Sequence, residues 1–425
     1  MPAQTRPEST RPDSSGQAGS SDAPVAAPYG LVLAIAALGL GGLFIGTGEF
    51  ASMSLLPGLS ADTAVSLPMA GSYISSYALG VVIGSPVIAV LASRWSRRSL
   101  LVALLSLVVI GYAASALAWD FRSLLVARFL SGLPHGAYYG VASLAAAAMV
   151  PANRRATAIG YVMLGLAAAN LVGVPAATWV GDHVGWRAVF ASVAIGGALT
   201  ATLVIVVIPK LTPTDHSSPL QELSALGRPM VWLTLLTASV GFGGMFAVYT
   251  YITPTLTHVS GFSQQNVPEV LALWGLGMVA GNLIGGRLAD RALIPSIFGM
   301  LIWNVVFLGL FTFASASKPA SLIVLFLVGN GFALVPALQT RLMNVAGKAQ
   351  TFASSLNHSA FNISNAVGAA MGGIAIAAGY GWASTGAVGA VLALAGIVPM
   401  AASLSLAARQ RARYPAGPSA TRRAK

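Results

Sequence analysis

Polar and apolar residues fall in long separate blocks along this chain. Twelve apolar stretches run at about 29–57, 69–92, 99–118, 122–150, 156–180, 187–208, 229–257, 268–289, 295–315, 320–343, 351–378 and 384–408. Each is close to the roughly 20 residues that an α-helix needs to cross a bilayer. The pattern predicts an all-α membrane protein with twelve transmembrane helices, and the Gly and Ala content suits close helix packing in lipid. Residues 1–28 are polar, rich in Pro, Ser, Gly and Ala, and lack the basic start and short apolar core of a cleaved signal peptide. They read as a disordered tail. The longest polar stretch between spans, 209–228, reads as a linker between bundles 29–208 and 229–408, and 409–425 as a basic tail.

Composition removes the other classes. The 425 residues carry 23 basic and 11 acidic side chains, so 8% are charged and 56% hydrophobic. A soluble domain carries about 25% charged residues, and disordered chains are charge-rich and apolar-poor. The net charge of +12 does not indicate a nucleic-acid partner, because the basic residues sit in loops and tails between apolar spans. With the N-terminus inside, the inner loops hold Arg94, Arg97, Arg98, Arg154, Arg155, Lys210, Arg228, Arg287, Arg291, Arg341 and Lys348. The outer loops hold only Arg122, Arg187 and Lys318. That asymmetry predicts a multi-pass membrane protein with both termini cytoplasmic. The chain has no Cys, hence no disulfide, thiolate metal site or Cys nucleophile. No Gly-x-x-x-x-Gly-Lys-Ser/Thr loop is present, so no ATPase motor of that type is encoded. Neither a metal nor another cofactor is expected.

The two halves repeat. At an offset of 197 residues, Leu56-Pro57 falls on Thr253-Pro254, and Ala78-Leu79-Gly80 on Gly275-Leu276-Gly277. Likewise Gly84 falls on Gly281, Leu91-Ala92-Ser93-Arg94 on Leu288-Ala289-Asp290-Arg291, and Phe129-Leu130-Ser131-Gly132 on Phe326-Leu327-Val328-Gly329. Near the end the offset slips by one, pairing Gly185-Trp186 with Gly381-Trp382. Six spans per repeat is even, so both halves enter the membrane in the same orientation.

These residues carry a family resemblance. Gly84 to Arg98 is similar to the loop 2–3 signature of the major facilitator superfamily, with Ser93 where its Asp is expected and with Arg94, Arg97 and Arg98 in place. The second copy, Gly285-Gly286-Arg287-Leu288-Ala289-Asp290-Arg291, keeps the Asp. Arg128-Phe-Leu-Ser-Gly132 with Gly136 resembles the fourth-helix motif, whose Arg is linked to proton coupling. Gly173-Val-Pro175 resembles the antiporter motif of the fifth helix, without the usual Gly after Pro. Gly46-Thr-Gly-Glu49-Phe50, Leu55-Leu56-Pro57, His135-Gly136 and Gly185-Trp186-Arg187 resemble arabinose-efflux and chloramphenicol-efflux permeases. The resemblance spans about 29–408 and implies a monomeric proton antiporter of a bacterial inner membrane that binds a small-molecule substrate in the lipid bilayer.

Two charges lie inside predicted spans, Glu49 and Arg128. An unpaired charge at mid-membrane costs a few kcal/mol, so such residues are usually functional. Glu49 is eight residues from Pro57, about 12 Å, and Arg128 six from Arg122, about 9 Å. Similar depth predicts a pair in which Glu49 carries the proton and Arg128 tunes it; a fixed structural ion pair is the other reading. His135 lies two turns beyond Arg128, about 10 Å deeper, and reads either as a proton relay or as a neutral donor to a carbonyl freed by Pro134. The second half has no acid in mid-membrane, which places coupling in the first.

Tyr73, Tyr77, Tyr138, Phe242, Phe246, Tyr249, Trp274 and Phe361 are candidates to line a cavity for an amphipathic neutral or cationic molecule; lipid-facing packing is the alternative for each. Asn170, Asn362 and Asn365 read as substrate contacts or interhelical glue. Trp119, Trp186 and Trp382 read as interfacial anchors. Gly80-x-x-x-Gly84 and Gly277-x-x-x-Gly281-x-x-x-Gly285 read as sliding seams between the halves. Gly84, Arg94, Arg98, Gly173, Pro175, Asp290 and Arg291 are candidate gating residues, with charge pairs or helix-end contacts latching the inner gate.

The leading expectation is a secondary transporter exporting a drug, sugar or metabolite against proton entry. One proton yields about 2.3 kcal/mol per 100 mV, or some 2.5 decades of gradient at roughly 150 mV. An importer or facilitator of the same fold is the first rival. A membrane enzyme would need clustered His and carboxylates near a surface, and neither His135 nor His358 has a carboxylate within a turn.

Overall fold

A computed structural model of the chain describes residues 26–27, 29–92, 94–210 and 219–413. Ser93, the expected N-terminal tail up to residue 25, the middle of the expected linker and the basic tail beyond 413 lie outside the described residues. The described residues are helical and contain no strand.

Ten helical stretches are long and apolar enough to cross a membrane. One of them, Gln264–Ala314, is 51 residues long and is broken at Ala292, whose φ of −155° and ψ of 82° are not helical. It therefore crosses twice. The fourth crossing completes the set: Phe121–Gly132 and His135–Ala148 are each too short to span alone, and Pro134 stands between them. Proline has no N–H to donate and clashes with the preceding turn, so the helix breaks there. Twelve crossings result, six to each half. The apolar stretch at 122–150 is thus two helices end to end rather than one.

Ends are fixed by local chemistry. Asp120 accepts from Ser123 N–H, and the Ser123 side chain returns a bond to Asp120, a capping box that starts the fourth crossing. The sixth helix, Trp186–Val207, follows Gly185 at φ 111°, and the twelfth, Ser384–Arg413, lies just beyond Gly381 at φ 76°. A side chain at either position would be strained, which accounts for the repeated Gly-Trp pair.

The repeat is also visible in packing. A Cβ on Gly80 would collide with the Phe129 carbonyl, and one on Gly277 with the Phe326 carbonyl. Gly84 sits against Leu133, Gly281 against Asn330 and Gly285 against Ala333. These glycines therefore let the second helix, Ser72–Leu91, approach the fourth, and the eighth approach the tenth, inside each half. The expectation that they form the seam between halves is corrected. The seam lies elsewhere. The fifth crossing, Ala152–His183, packs along the eighth, where Gly286 meets Ala156 and Thr157, and Gly160 meets the Asn282 carbonyl. The eleventh, Gln350–Tyr380, packs on the second and fourth, where Gly140 meets Ser355 and Gly136 meets His358. A sequence marks where backbones come close, but not which helix is the partner.

Candidate functional site

Two adjoining narrow cavities of about 30 Å³ each lie between the halves and share Phe50, Phe242, Phe246 and Phe332. The first half contributes Glu49 and Phe50 from the first helix, Leu31–Ser54, with His135, Leu166 and Asn170. The second half contributes Tyr249, Trp274, His358, Phe361, Asn362 and Asn365. Aromatic rings form most of the wall. Phe242 contacts Phe246, Phe332 and Phe361 with ring centroids 5.7, 5.4 and 4.9 Å apart. Tyr249 lies 5.6 Å from Trp274. Its hydroxyl donates to the Asn170 side-chain oxygen at 3.2 Å, tying the halves together beside the cavity.

Glu49 is the one acid lining either cavity. Its Oε2 lies 3.7 Å from His135 Nδ1, and the carboxyl side chain remains 12% exposed. His135 Nδ1 also shares a 2.9 Å hydrogen bond with the Tyr77 hydroxyl. The imidazole is 5.4 Å from the ring of His358, which stacks on Tyr139 at 4.4 Å. A carboxyl and two imidazoles thus lie together on the cavity wall, with the Tyr77 phenol hydrogen-bonded to one of them from outside the lining.

Arg128 is placed differently from the expected pair. It is 1% exposed, and no oxygen of Glu49 lies within 4.0 Å of it. Its Nη2 donates to the Gly48 carbonyl at 3.4 Å, while Nε and Nη1 have no hydrogen-bond partner. The guanidinium instead rests among three rings, 4.5 Å from Tyr77, 5.2 Å from Phe190 and 5.6 Å from Tyr112. Desolvated cation–π contacts of this kind are worth about 2 kcal/mol. Equal depth brought the two charges to one level, but the ring cage sets the direction of the guanidinium. Tyr77 touches both Arg128 and His135 and so links them.

The remaining sequence candidates divide. Asn170, Phe246, Tyr249, Trp274, Asn362 and Asn365 line the cavities. Tyr77, which contacts Arg128 and His135, does not, and neither does Tyr73, which donates to Thr63 at 2.8 Å and packs on Phe121. Nor does Tyr138, whose hydroxyl donates to the Leu38 carbonyl at 2.7 Å. The last two are tyrosines that satisfy a buried hydroxyl on a neighbouring helix. The wall also holds Phe50, Phe332, Met245, Met278 and His358, none of which was singled out for it from sequence. Phe50 was legible as the neighbour of Glu49. Gly173 closes a π-helical turn, Ala169–Gly173, against Thr47, with Pro175 just beyond.

At the end of the bundle that carries Arg97, Arg154, Arg287 and Arg291, both carboxylate oxygens of Asp290 accept backbone N–H groups of the other half. The bonds are Ala156 N–H at 2.7 Å and Thr157 N–H at 2.8 Å. Asp290 therefore caps the fifth helix, where the helix dipole favours an anion. Arg94 is exposed and has no hydrogen-bond or ion-pair partner among the described residues, and Arg98 has none either. The arginine of that cluster that reaches another helix is Arg97, which donates to the Leu144 carbonyl at 2.9 Å. Arg291 borders an open pocket of about 1090 Å³ with Arg154 and Arg287.

At the opposite end, Asp62 accepts from the Trp186 indole at 2.9 Å and from Arg187 at 2.6 Å. Trp186 is only 4% exposed, so it is a clamp residue rather than an interfacial anchor. Trp119, 81% exposed, keeps the latter form. The Trp186 and Arg187 hydrogen bonds hold the Asp62 pKa below the usual carboxylate value. A depressed acid stabilises the fold above its unfolded pKa, near 4, and that stabilisation disappears as pH falls through the folded value. Asp62→Asn should lower stability at pH 7, and with it the melting temperature, by less than about 1 kcal/mol, because the pair is half exposed. The difference from the parent should shrink as the pH falls through the folded pKa of Asp62. Thermal unfolding of both proteins in detergent, from pH 7 downward, checks the loss and its pH dependence.

The family description "Major Facilitator Superfamily" matches residues 38–351. The chain is 40% identical over 358 residues to the inner membrane transport protein YdhP of Escherichia coli O157:H7, covering 84% of this chain and 92% of that protein. It is 32% identical to a chloramphenicol resistance protein of Streptomyces lividans, covering 76% and 84% of the two chains. Among solved structures, the E. coli fucose:proton symporter FucP superposes with a TM-score of 0.70 at 16% identity, covering 88% of this chain and 99% of that one; this likeness is one of fold. With a family match over most of its length and two parallel six-helix bundles around a central cavity, the chain belongs to the major facilitator superfamily and is a membrane transporter, not an enzyme.

Proposed function

We propose that this transporter exports a small amphipathic molecule, neutral or cationic, in exchange for protons. The observation that carries the reading is Glu49, a carboxyl on the wall of an otherwise aromatic cavity and 3.7 Å from His135. A bound cation and a proton both neutralise that carboxyl, so they exclude one another, and exclusion at one shared site is sufficient for antiport. His135 beside Glu49 on the wall, with Tyr77 hydrogen-bonded to it, offers the proton a second acceptor. The Phe242, Phe246, Tyr249 and Trp274 rings hold the apolar body of the substrate, while Asn170, Asn362 and Asn365 supply hydrogen bonds. The chloramphenicol resistance relative supports export. The basic end of the bundle is assigned to the cytoplasm on the Lys/Arg asymmetry, with both termini there, in an inner membrane. Residues 29–208 and 229–408 move as the two halves of a monomer, and Asp290 is part of the inner gate.

The test is reconstitution of the full chain in liposomes with an internal pH dye and a panel of amphipathic cations and neutral compounds. Antiport gives proton movement opposite to that of the substrate. Proton movement in the same direction would make the protein a symporting importer. Substrate movement without protons would make it a facilitator.

A further inference from the structure

The repeat assigns a partner to Asp290 that the first half does not supply in sequence. At the offset of 197, Asp290 falls on Ser93. The helix that Asp290 caps is the fifth of the first half, where it holds the N–H groups of the second and third helical residues, Ala156 and Thr157. The equivalent helix of the second half is the eleventh, which starts at Gln350. Its third residue is Phe352, and the Phe352 N–H is not left open: it donates to Glu222 Oε2 at 3.0 Å. Glu222 is 1% exposed and belongs to a short helix, Pro219–Leu223, in the segment joining the halves. That segment packs against both the second helix of the first half and the eleventh helix of the second.

We infer that Glu222 is the second latch of the gate at the basic end, in the role that the repeat would give to an acid at residue 93. The two carboxylates then hold opposite sides of one gate. Asp290 holds the fifth helix to the eighth, and Glu222 holds the eleventh to the short linker helix, which itself packs on the second helix. Each does so by a charge-assisted bond to the same turn of a long helix, where an anion is favoured. A carboxylate moved from loop to linker keeps the physics of the latch and adds a consequence. The connection between the halves becomes a part of the gate rather than a passive tether. Glu222 acts through the eleventh helix and does not touch the cavity, so it is a positioning residue. The inference is independent of proton coupling and of substrate.

The chain contains no Cys, so one introduced thiol reports gate opening without background. Ser355 is fully buried and lies at the seam against Gly140, five residues into the eleventh helix. In full-length Ser355→Cys protein, reaction with a membrane-impermeant maleimide from the basic side measures how often the gate opens. Adding Glu222→Gln should speed labelling about tenfold, the equivalent of about 1.4 kcal/mol. Adding Ser93→Asp to that variant should return the rate to within about twofold of the parent, since ~0.4 kcal/mol corresponds to a factor of two. An unchanged rate in Glu222→Gln overturns the latch. Acceleration that Ser93→Asp does not reverse overturns the equivalence of the two positions and leaves Glu222 as packing. If Glu222→Gln fails to fold, Glu222→Asp decides: it keeps the charge but withdraws it by one methylene, so faster labelling supports the latch and an unchanged rate removes it.

Discussion

Replacing Glu49 by Gln should abolish substrate-evoked proton movement, a loss of ~10²-fold or more, the scale expected when a positioned proton-transfer group is removed. Gln has the size of Glu and still hydrogen-bonds, so the cavity wall keeps its shape. What it cannot do is take up and release a proton at physiological pH. Exchange of labelled for unlabelled substrate, which needs the cavity to alternate but not the carboxyl to discharge, should survive in the same variant. The pair of assays separates coupling from folding. Retained exchange with no proton signal assigns the carrier role to Glu49. An undiminished proton signal would leave the 3.7 Å Glu49–His135 contact as a structural one and remove the basis for antiport at this site.

The twelve crossings were legible because the bilayer makes one demand on every span, about 20 apolar residues in a helix that satisfies its own backbone. The interruptions were not. The break at Leu133–Pro134 and the π-helical turn at Ala169–Gly173 fall inside apolar stretches, and hydropathy averages over both. Their cost is recovered by neighbouring helices, which is tertiary information.

The site shows the same division. Depth can be counted along a helix at a fixed rise, so Glu49 and Arg128 could be brought to one level. Azimuth cannot be counted once a helix is kinked, and a residue's partners depend on azimuth. Arg128 turns into the Tyr77–Tyr112–Phe190 cage, Tyr138 turns to Leu38, and His358 turns inward to stack on Tyr139. His135 meets Glu49 through the fold, with no carboxylate within a turn of it in sequence. For the glycine faces, by contrast, the signal was present. Gly80 and Gly132 recur together at the same offset as Gly277 and Gly329, and residues repeated together are those that touch.

That co-recurrence makes a quantitative expectation. A Cβ on Gly80 would sit 3.2 Å from Gly132 Cα and against the Phe129 carbonyl; on Gly277 it would sit 3.1 Å from Gly329 Cα and against the Phe326 carbonyl. In both cases the obstruction is backbone, which cannot rotate away as a side chain can. Helix association in lipid has little hydrophobic drive and depends on close van der Waals contact, so separating these backbones removes the main attraction. Gly80→Val and Gly277→Val should each cost about 3 kcal/mol or more, the upper end for overpacking. The two losses should be of similar size, because both substitutions meet the same backbone obstruction. Gly299, where an added Cβ would meet nothing within 4 Å, is the control: Gly299→Ala should be neutral or stabilising by up to ~1 kcal/mol from helix propensity. Thermal unfolding of the purified protein, followed by the loss of its monodisperse peak, ranks the three. Equal, large losses at 80 and 277 with none at 299 would show that one helix contact is built twice. A tolerated Gly277→Val would mean that the second half holds its eighth and tenth helices together by other means.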